Sequence, residues 1–362
     1  MQAALRMNVA RKSPSEERQA TSLGADPLPR GRSLWISWNA HRRTTGLCAA
    51  WDVPLYVIRP EREGLRRWIE RAVITLQLLH REKPEILFVQ NPSLALTLLA
   101  TLVRPLFGYY LVVDAHNEGV RPFDRPGAFV GWLTRRLLKR ADTTIVTNAA
   151  LAKDVSSVGG HPLVLSDRLP EPPVFDARHH ATEDAPDVAV IATFRPDEPI
   201  QAILAAAASM PGIRFAFSGA TRRFRGNPRD LPPNVRLTGF LLDPAYWRFL
   251  ARAGVVCDLT LKPDCLVCGA YEALALGKAM VLSDNQATRE IFGPAAVLAG
   301  NESEAIAGAL RTALEQRQQL EANAREVREA YRTRWHDEAA VAWNAVHSRA
   351  AAASRVPAGG AR

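Results

Sequence analysis

The chain has 362 residues, a length that predicts two domains, each large enough for its own hydrophobic core. Its apolar content of 47% and charged content of 23% are ordinary for a folded protein and exclude a wholly disordered chain. The formal net charge of +9 favours an anionic partner, which is a nucleic acid, a phosphorylated ligand or an acidic membrane surface. A solvated Arg-rich surface explains the same charge, so charge alone does not choose among these partners.

Four cysteines in so long a chain do not make a disulfide scaffold, and they indicate a reducing compartment. Cys265 and Cys268 form one CxxC pair, but a zinc site would need a second pair or nearby histidines, so we expect no metal and no cofactor. Residues 1–32 are polar and interrupted by Pro and Gly, which predicts a disordered tail rather than a signal peptide. The longest apolar run, residues 94–103, is too short to cross a bilayer. We therefore expect a cytoplasmic protein.

Strands alternate with helices through residues 33–168, which is typical of a doubly wound parallel sheet. The predicted strands are residues 33–38, 55–58, 86–90, 109–113 and 143–147, the predicted helices are 64–81, 93–103 and 148–155, and a polar loop is predicted at 39–46. The first domain is therefore predicted to be Rossmann-like α/β.

Residues 169–186 are rich in proline and lack sustained periodicity, which predicts a linker. The alternation restarts in residues 187–330, a second predicted Rossmann-like domain, and residues 331–362 are predicted to form a helix that crosses back to the first domain and a tail. The predicted strands here are residues 188–193, 214–218, 235–238, 255–257, 279–282 and 296–298. Two such domains facing each other would form a cleft that buries a ligand.

Two acids flank the predicted start of a helix in the strand–loop–helix–strand unit at residues 255–282. Glu272 is predicted in the first turn of that helix, and Asp264 lies in the preceding loop. Such acids can hold hydroxyl groups, while backbone N–H groups at Cys268 and Gly269 can hold a phosphate. The combination indicates a sugar-nucleotide site. The alternative for Glu272 is an acid that only stabilises the helix dipole.

The layout and residues 271–291, YEALALGKAMVLSDNQATREI, resemble the nucleotide-binding half of GT-B fold glycosyltransferases, family 4 (glycosyl transferases group 1) in particular. That family has an E-x7-E pair before an EALA-containing helix, and here the pair is D-x7-E, Asp264 and Glu272. The resemblance implies a GT-B fold with an acceptor-side domain first and a donor-nucleotide domain second. It also implies that Glu272 binds the donor ribose and that Asp264 contacts the transferred hexose.

Arg195 follows the first strand of the second domain, where the family has a Gly-Arg turn and then a lysine, the two cations that neutralise the leaving diphosphate. Guanidinium suits this role because it is always charged and binds phosphate in a bidentate manner. The lysine position holds Ile200, so we predict that Lys262 supplies the second charge. Gly219 lies in a small turn that the resemblance places near the nucleotide. The alternative for Arg195 is an ordinary surface-turn residue.

His116 follows a strand in the first domain and is predicted to lie at the carboxyl end of the sheet. The segment Asp114-Ala115-His116-Asn117 resembles the DxHN segment of the dolichol-pathway first mannosyltransferase family, and residues 89–92, VQNP, resemble a strand end of that family. The resemblance implies that His116 hydrogen-bonds the donor sugar or holds the acceptor hydroxyl. A purely structural histidine is the alternative.

No Ser-His-Asp set, Walker A motif or GxGxxG motif is recognisable, which argues against hydrolase, kinase and dehydrogenase chemistry. We predict a metal-independent glycosyltransferase that moves a hexose from a nucleotide-diphospho sugar to a hydroxyl of a glycan or lipid-linked acceptor. The family 4 resemblance implies a retaining reaction, whereas the mannosyltransferase family inverts. The alternatives are a sugar-nucleotide epimerase and a non-catalytic GT-B-like protein that binds nucleotide sugar or a partner. Nucleic acid is not an expected partner, since no basic patch interleaved with aromatic residues is found.

The predicted helix at residues 64–80 combines Arg66, Arg67 and Arg71 with Trp68 and a stripe of aliphatic residues. A basic amphipathic helix with a tryptophan can lie on an anionic leaflet, which would place the protein at the inner membrane face. The alternative is an ordinary surface helix that packs its apolar stripe on the sheet.

Overall fold

The computed structural model describes residues 9–12, 32–60, 64–91, 93–122, 127–174 and 185–355, with the side chains of all but the first range. The chain divides into two compact units, residues 1–167 with 335–362 (unit 1) and residues 168–334 (unit 2). Each unit contains one largely parallel sheet with helices between its strands. The predicted α/β class with two Rossmann-like domains is confirmed. The predicted linker and tail lie partly outside the described residues.

Unit 1 is built on a sheet of seven described strands. These are β1 (Val9–Lys12), β2 (Ser33–Ser37), β3 (Leu55–Ile58), β4 (Ile86–Asn91), β5 (Tyr110–Ala115), β6 (Thr143–Val146) and β7 (Pro162–Val164). The order is β1-β3-β2-β4-β5-β6-β7, and all neighbours are parallel except β1 and β3. The helices of this part are α1 (Arg42–Trp51), α2 (Gly64–Glu82), α3 (Leu94–Phe107), α4 (Asn117–Val120), α5 (Ala128–Arg140) and α6 (Ala149–Ser157).

Three predictions in unit 1 are corrected. Strand β1 lies within the predicted disordered tail, because its backbone pairs with β3, a contact that composition does not reveal. Helix α1 replaces most of the predicted loop at residues 39–46: the His41 imidazole accepts a hydrogen bond from the Arg43 N–H and caps the helix, a role more often filled by Ser, Thr, Asp or Asn. Helix α3 continues through Pro105 to Phe107, where Gly108 in the left-handed conformation ends it.

The central strands of unit 1 are apolar and fully buried, as expected for a parallel sheet covered on both faces. A cluster of aromatic rings packs on one face of the unit 1 sheet. The Trp35 and Phe88 rings stack at 4.9 Å between centroids, and Trp51 lies 6.3 Å from Trp35. Trp343 packs on Trp51 at 5.5 Å, so the C-terminal residues of the chain contribute to the core of unit 1.

Unit 2 is built on a sheet of six parallel strands. These are β8 (Val188–Ile191), β9 (Phe215–Ser218), β10 (Val235–Gly239), β11 (Val255–Asp258), β12 (Ala279–Ser283) and β13 (Ala296–Ala299). The order β10-β9-β8-β11-β12-β13 reverses direction between β8 and β11. In open α/β sheets a ligand binds outside the carboxyl ends of the strands at such a reversal. The loops that follow β8 and β11 are therefore where a site is expected.

The helices of unit 2 are α7 (Ile200–Ala208), α8 (Asp243–Arg252), α9 (Cys268–Leu276), α10 (Gln286–Phe292), α11 (Ser303–Glu315) and the first part of α12 (Arg317–Arg355). The boundary between the units falls inside α12, between Arg334 and Trp335. The helix predicted within residues 331–362 corresponds, up to residue 355, to the second part of α12. Within the described ranges, no helix has both the length and the apolar character needed to cross a membrane.

Candidate active site

Glu272 lies in the second turn of α9, not in its first turn as predicted, because the helix begins at Cys268 with Val267 as its N-cap. The side chain is buried, and the Tyr246 hydroxyl of α8 donates a hydrogen bond to Glu272 Oε2 at 2.5 Å. No acid lies in the first turn of α9, so the helix-dipole alternative for Glu272 loses its basis. Carboxylate oxygens accept hydrogen bonds from hydroxyl groups, which is the chemistry that a ribose contact needs.

The start of α9 packs closely against β11. The Gly269 N–H donates to Asp258 Oδ2 at 3.0 Å, and an added Cβ at Gly269 would lie 2.3 Å from that oxygen and from Ile191 Cδ1. Glycine is therefore required here, for packing rather than for a positive φ. The N–H group of Gly269, predicted to face a donor phosphate, is engaged by a protein side chain. Cys268, the first residue of the helix, is exposed.

Asp258, the last residue of β11, was not identified from the sequence as a site residue. Its side chain is buried, and burial raises the pKa of this carboxyl group well above its usual value, to which the nearby Glu198 and Glu272 carboxylates add. Asp258 therefore holds its proton to a higher pH than an exposed aspartate does. An acid that directly ends an apolar strand, Val255-Val256-Cys257-Asp258, is the sequence signal that marks it.

Arg195 and Lys262 come together through Asp197. The Lys262 Nζ lies 2.6 Å from Asp197 Oδ2, and the Arg195 Nε lies 3.6 Å from Oδ1 of the same carboxylate. The Asp197 carbonyl also accepts from the Leu261 N–H at 2.7 Å, which joins the loop after β8 to the loop after β11. Two cations that are 67 residues apart in sequence thus share one anion at the reversal of the sheet.

The turn after β8 is held in a conformation that few residues adopt. Phe194 has a φ of +56°, and the Glu198 carboxylate accepts hydrogen bonds from the Thr193 and Phe194 N–H groups at 2.9 and 2.8 Å. Gly219, after β9, has a φ of +124°, and an added Cβ there would lie 2.0 Å from the Ala192 carbonyl oxygen. The turns after β8 and β9 therefore pack directly on one another and require glycine at this position.

Asp264 lies in the loop between β11 and α9 and is half-buried. Its φ of +51° places a non-glycine residue in the left-handed region, at a cost of about 1 kcal/mol. Aspartate tolerates this conformation better than most residues. The same conformation fixes the direction of the loop that leads into α9.

In unit 1, His116 follows β5 and is the N-cap residue of α4. Its Nε2 lies 3.5 Å from Asp114 Oδ2, and its ring meets the His41 ring edge-on at 4.2 Å between centroids. Asp114 is completely buried, whereas the His116 side chain is 17% exposed. An imidazole whose Nε2–H faces a buried carboxylate leaves Nδ1 as the acceptor nitrogen, so this pair can orient the imidazole.

Arg43 holds Asp114, the carboxylate that faces His116, in place. Its Nε donates to Asp114 Oδ1 at 2.8 Å, Nη1 to Asp167 Oδ1 at 2.6 Å and Nη2 to the Leu165 carbonyl at 2.9 Å, and its side chain is completely buried. Burial alone would raise the pKa of Asp114, but Arg43 and then His116 outweigh it and hold that pKa below its usual range. Arg43 was not predicted as a site residue, because it stands in a stretch that was predicted to be a loop.

The His41 imidazole is also neutral. Burial lowers the pKa of His41 to about 4, the neighbouring His116 adds to this shift, and Asp167 and Asp114 oppose it. His41 and Arg43 both come from the start of α1, so the missed helix is what brings them to His116. Of the eight site residues predicted from the sequence, His116 lies in unit 1 and the other seven lie in unit 2.

Two family models match the sequence. A model described as a glycosyl transferase 4-like domain matches residues 23–166, and a model described as glycosyl transferase-like matches residues 195–343. The chain belongs to the family 4-like glycosyltransferases. The predicted resemblance to that family is confirmed, and the chain is a glycosyltransferase of the GT-B fold. The resemblance of residues 114–117 to the dolichol-pathway mannosyltransferases stays a prediction.

Solved structures share the fold at low sequence identity. Sucrose-phosphate synthase from Thermosynechococcus elongatus is 18% identical with a TM-score of 0.67, and the match covers 83% of this chain and 84% of that one. Anabaena HepE in complex with UDP and glucose is 14% identical with a TM-score of 0.63, covering 90% of this chain and all of that one (100%). A glycosyltransferase from Rickettsia africae is 8% identical with a TM-score of 0.61 and coverage of 89% and 99%. No curated protein matches the sequence.

Proposed function

We propose that this glycosyltransferase moves a hexose from a nucleotide-diphospho sugar to a hydroxyl group of a glycan or glycolipid. The observation that carries the proposal is the meeting of Arg195 and Lys262 on Asp197 at the reversal of the unit 2 sheet, in the same unit as the buried Glu272. Cations suit a diphosphate, and a buried carboxylate suits the hydroxyl groups of a ribose. The solved complexes of HepE with UDP and with UDP-glucose support the choice of donor class.

Glu272 is the proposed ribose contact. The Tyr246 hydroxyl fixes one carboxylate oxygen at 2.5 Å and so sets the direction in which the other faces. Asp264 is the proposed contact for the transferred sugar, carried by a loop whose direction its own left-handed backbone determines. Gly219 and Gly269 act through packing: each admits a close approach that a larger residue would block.

Arg195 and Lys262 are the proposed stabilisers of the diphosphate as it leaves. Two positive side chains in fixed positions stabilise developing negative charge without reorganisation at the moment of reaction, which supports a metal-independent mechanism. Asp197 orients both cations but also neutralises one charge, so a third cation would strengthen the site. If Lys262→Ala lowers turnover much less than Arg195→Ala, Lys262 does not have this role.

His116 is the proposed polar contact in unit 1. With Nε2–H directed at Asp114, its Nδ1 can accept a hydrogen bond from a sugar or acceptor hydroxyl. Retention of the anomeric configuration is proposed from the family 4 membership, and the product anomer, read by NMR, tests it.

The enzyme is proposed to bind peripherally to an anionic membrane through α2. On α2, Leu65, Trp68 and Ile69 are 75%, 40% and 56% exposed. The Arg67 and Arg71 guanidinium carbons lie 5.7 and 5.5 Å from the Trp68 ring centroid, a basic and aromatic surface suited to headgroups. Flotation with anionic liposomes is expected, and absence of flotation at low salt would reject this location.

The experiment that tests the proposal is a thermal-shift panel of UDP-, GDP- and ADP-sugars, followed by assays of donor hydrolysis and sugar transfer. At least one donor should stabilise the protein and be consumed. Stabilisation without hydrolysis or transfer would favour the alternative, a GT-B-like protein that binds a nucleotide sugar without catalysis.

A further inference from the structure

An open depression in unit 2 is lined by arginines from two loops. Arg195 comes from the loop after β8, and Arg222, Arg223 and Arg225 come from the loop after β9. Phe194 and Phe224 form its apolar wall. Strands β8 and β9 are parallel neighbours, so both loops leave the same edge of the sheet, the edge where ligands of α/β proteins bind.

The second loop is fixed in place rather than freely extended. A short 3-10 turn, Thr221–Arg223, follows Gly219, and the Phe224 ring then meets the Phe194 ring edge-on at 5.4 Å. An added Cβ at Gly226 would lie 2.7 Å from the Phe224 ring, so glycine at this position allows the ring to lie against the backbone. Phe224 thus anchors the loop. Arg222 and Arg223 precede it, Arg225 follows it, and all three line the same depression as Arg195.

The three arginines that follow β9 are not neutralised by ion pairs within the described part of the chain. Arg222, Arg223 and Arg225 are exposed, and no ion pair joins any of them to an acid among the residues that the structure describes. Of the acids near Arg195, Asp197 pairs with Lys262 at 2.6 Å and with Arg195 at 3.6 Å. The Glu198 carboxylate accepts hydrogen bonds from the Thr193 and Phe194 N–H groups. The cluster therefore retains a strong positive potential.

An adjoining depression shares Arg195 and Arg225 with the first, and its lining also includes Ile200 and Glu198. Ile200 occupies the position at which the resemblance to family 4 implies a lysine for the diphosphate. Residue 200 therefore supplies no positive charge, whereas the Arg225 side chain, from the loop after β9, lines the same depression. Guanidinium groups bind phosphate oxygens in a bidentate manner, and several of them match the clustered oxygens of two linked phosphates better than a single phosphate.

We propose that Arg222, Arg223 and Arg225 form, with Arg195, a binding site for a diphosphate group. This inference deepens the proposed function and rests on it in one respect, since the nucleoside diphosphate part of a sugar donor is the expected source of that group. The chemistry recognised is the diphosphate itself, which inorganic pyrophosphate also supplies.

The test is calorimetric titration of the full chain with inorganic pyrophosphate and, separately, with UDP, GDP and ADP. The variant is R222Q/R223Q/R225Q, which leaves Arg195 and the Asp197–Lys262 pair intact. The matched control is R248Q/R311Q/R325Q, which removes the same charge from exposed positions elsewhere in unit 2. Circular dichroism melting curves establish that both variants fold.

The wild type should bind pyrophosphate and at least one nucleoside diphosphate. The triple variant should bind both at least about tenfold more weakly, and the control should stay within about twofold, because only the first set loses charge-assisted hydrogen bonds to the ligand. Equal affinities of the two variants, or no binding of pyrophosphate to the wild type, would overturn the proposal. If pyrophosphate and the nucleoside diphosphate compete, the nucleotide is the source of the diphosphate group. If both bind at once, a different phosphate compound is the source of the group that the arginines bind.

The two proposals fail in distinguishable ways. If no nucleotide sugar is bound or consumed but pyrophosphate binding still depends on the three arginines, the proposed function fails and the diphosphate site stands. If sugar transfer is intact and unaffected in the triple variant, the function stands and this site is rejected.

Discussion

The Nε of Arg43 lies 2.8 Å from Oδ1 of Asp114, and both side chains are completely buried. The other oxygen of Asp114 faces His116 Nε2 at 3.5 Å. Arg43 also binds Asp167 and the Leu165 carbonyl, next to the point where the chain leaves unit 1. One guanidinium therefore links residues 165 and 167, at the end of the first segment of unit 1, to the carboxylate that faces His116.

Replacing Arg43 by Met should destabilise the protein by about 3–5 kcal/mol, because Asp114 would remain buried without its partner. The double variant R43M/D114N should recover part of that loss, since the uncompensated charge is removed. Urea unfolding measures both. The exposed neighbour Arg42 gives the control, R42M, and an equal effect of R43M and R42M would contradict the importance of this pair.

The same pair predicts a dependence of stability on acid. The folded-state pKa of Asp114 lies below its ordinary value of 3.8, so the ionised carboxylate stabilises the fold at all pH values above about 4. This contribution is lost as the pH falls through the lowered folded-state pKa. In R43M/D114N that part of the acid sensitivity should be absent, which unfolding midpoints measured between pH 2 and pH 5 would show.

His41 predicts a second pH dependence, at higher pH. Its folded-state pKa is about 4 against an ordinary value of 6.5, so the unfolded chain binds the proton first and stability falls as the pH is lowered from 6.5 to 4. The shift corresponds to a loss on the order of 3 kcal/mol. His41→Asn keeps a capping side chain and removes the titration, so its stability curve should be flatter in this range. His80→Asn, on the exposed end of α2, is the control, and an unchanged slope in His41→Asn would reject the assignment.

Glu272 and Tyr246 predict an effect on donor binding. Glu272→Gln should weaken the affinity for the nucleotide sugar about 10- to 100-fold, because hydrogen bonds from hydroxyl groups to a charged carboxylate contribute about 1.5–3 kcal/mol. Tyr246→Phe should weaken it less, since it only releases the orientation of the carboxylate. Glu304→Gln, at an exposed position of α11, should leave it unchanged. Equal donor affinity in Glu272→Gln and Glu304→Gln would show that Glu272 does not contact the donor.

Gly219→Ala tests the packing of the two turns in unit 2. The added methyl group would lie 2.0 Å from the Ala192 carbonyl oxygen, and its φ of +124° is unfavourable for alanine. We expect a loss of more than about 2 kcal/mol in stability together with weaker donor binding. Gly308→Ala, in α11 where an added Cβ meets nothing within 4 Å, should be neutral or slightly stabilising. Equal melting temperatures for the two variants would contradict the close approach.

Periodicity and the positions of Pro and Gly were sufficient to predict the central strands of both sheets, because these strands contain apolar runs, as in Ile86–Asn91 and Tyr110–Ala115. Strand β7, at the edge of the unit 1 sheet, was not predicted. The start of α1 was missed because a histidine caps it. Strand β1 was missed because its pairing with β3 joins residues far apart in sequence. A histidine is a weak sequence signal for a helix cap, and the pairing of β1 with β3 leaves no signal in the local sequence.

Asp264 and Glu272 were proposed from their spacing within one motif, and Arg195 and Gly219 from separate short patches. The structure places Arg195 and Lys262 near one carboxylate, and their role at a diphosphate stays a prediction. The partners that organise them were not found. Asp197, Tyr246 and Asp258 act through contacts between separate strands and helices, so their roles depend on the tertiary structure. Arg43 was missed for the same reason, since Asp114 and Asp167 are 71 and 124 residues away.

The most direct test of the central claim is calorimetric titration of the wild type and Arg195→Ala with UDP-, GDP- and ADP-sugars, with donor consumption followed in the same samples. The account predicts that at least one donor binds to the wild type and is hydrolysed or transferred, and that Arg195→Ala lowers turnover at least about tenfold. Absence of binding by every donor, or turnover in Arg195→Ala equal to that of the wild type, would contradict it.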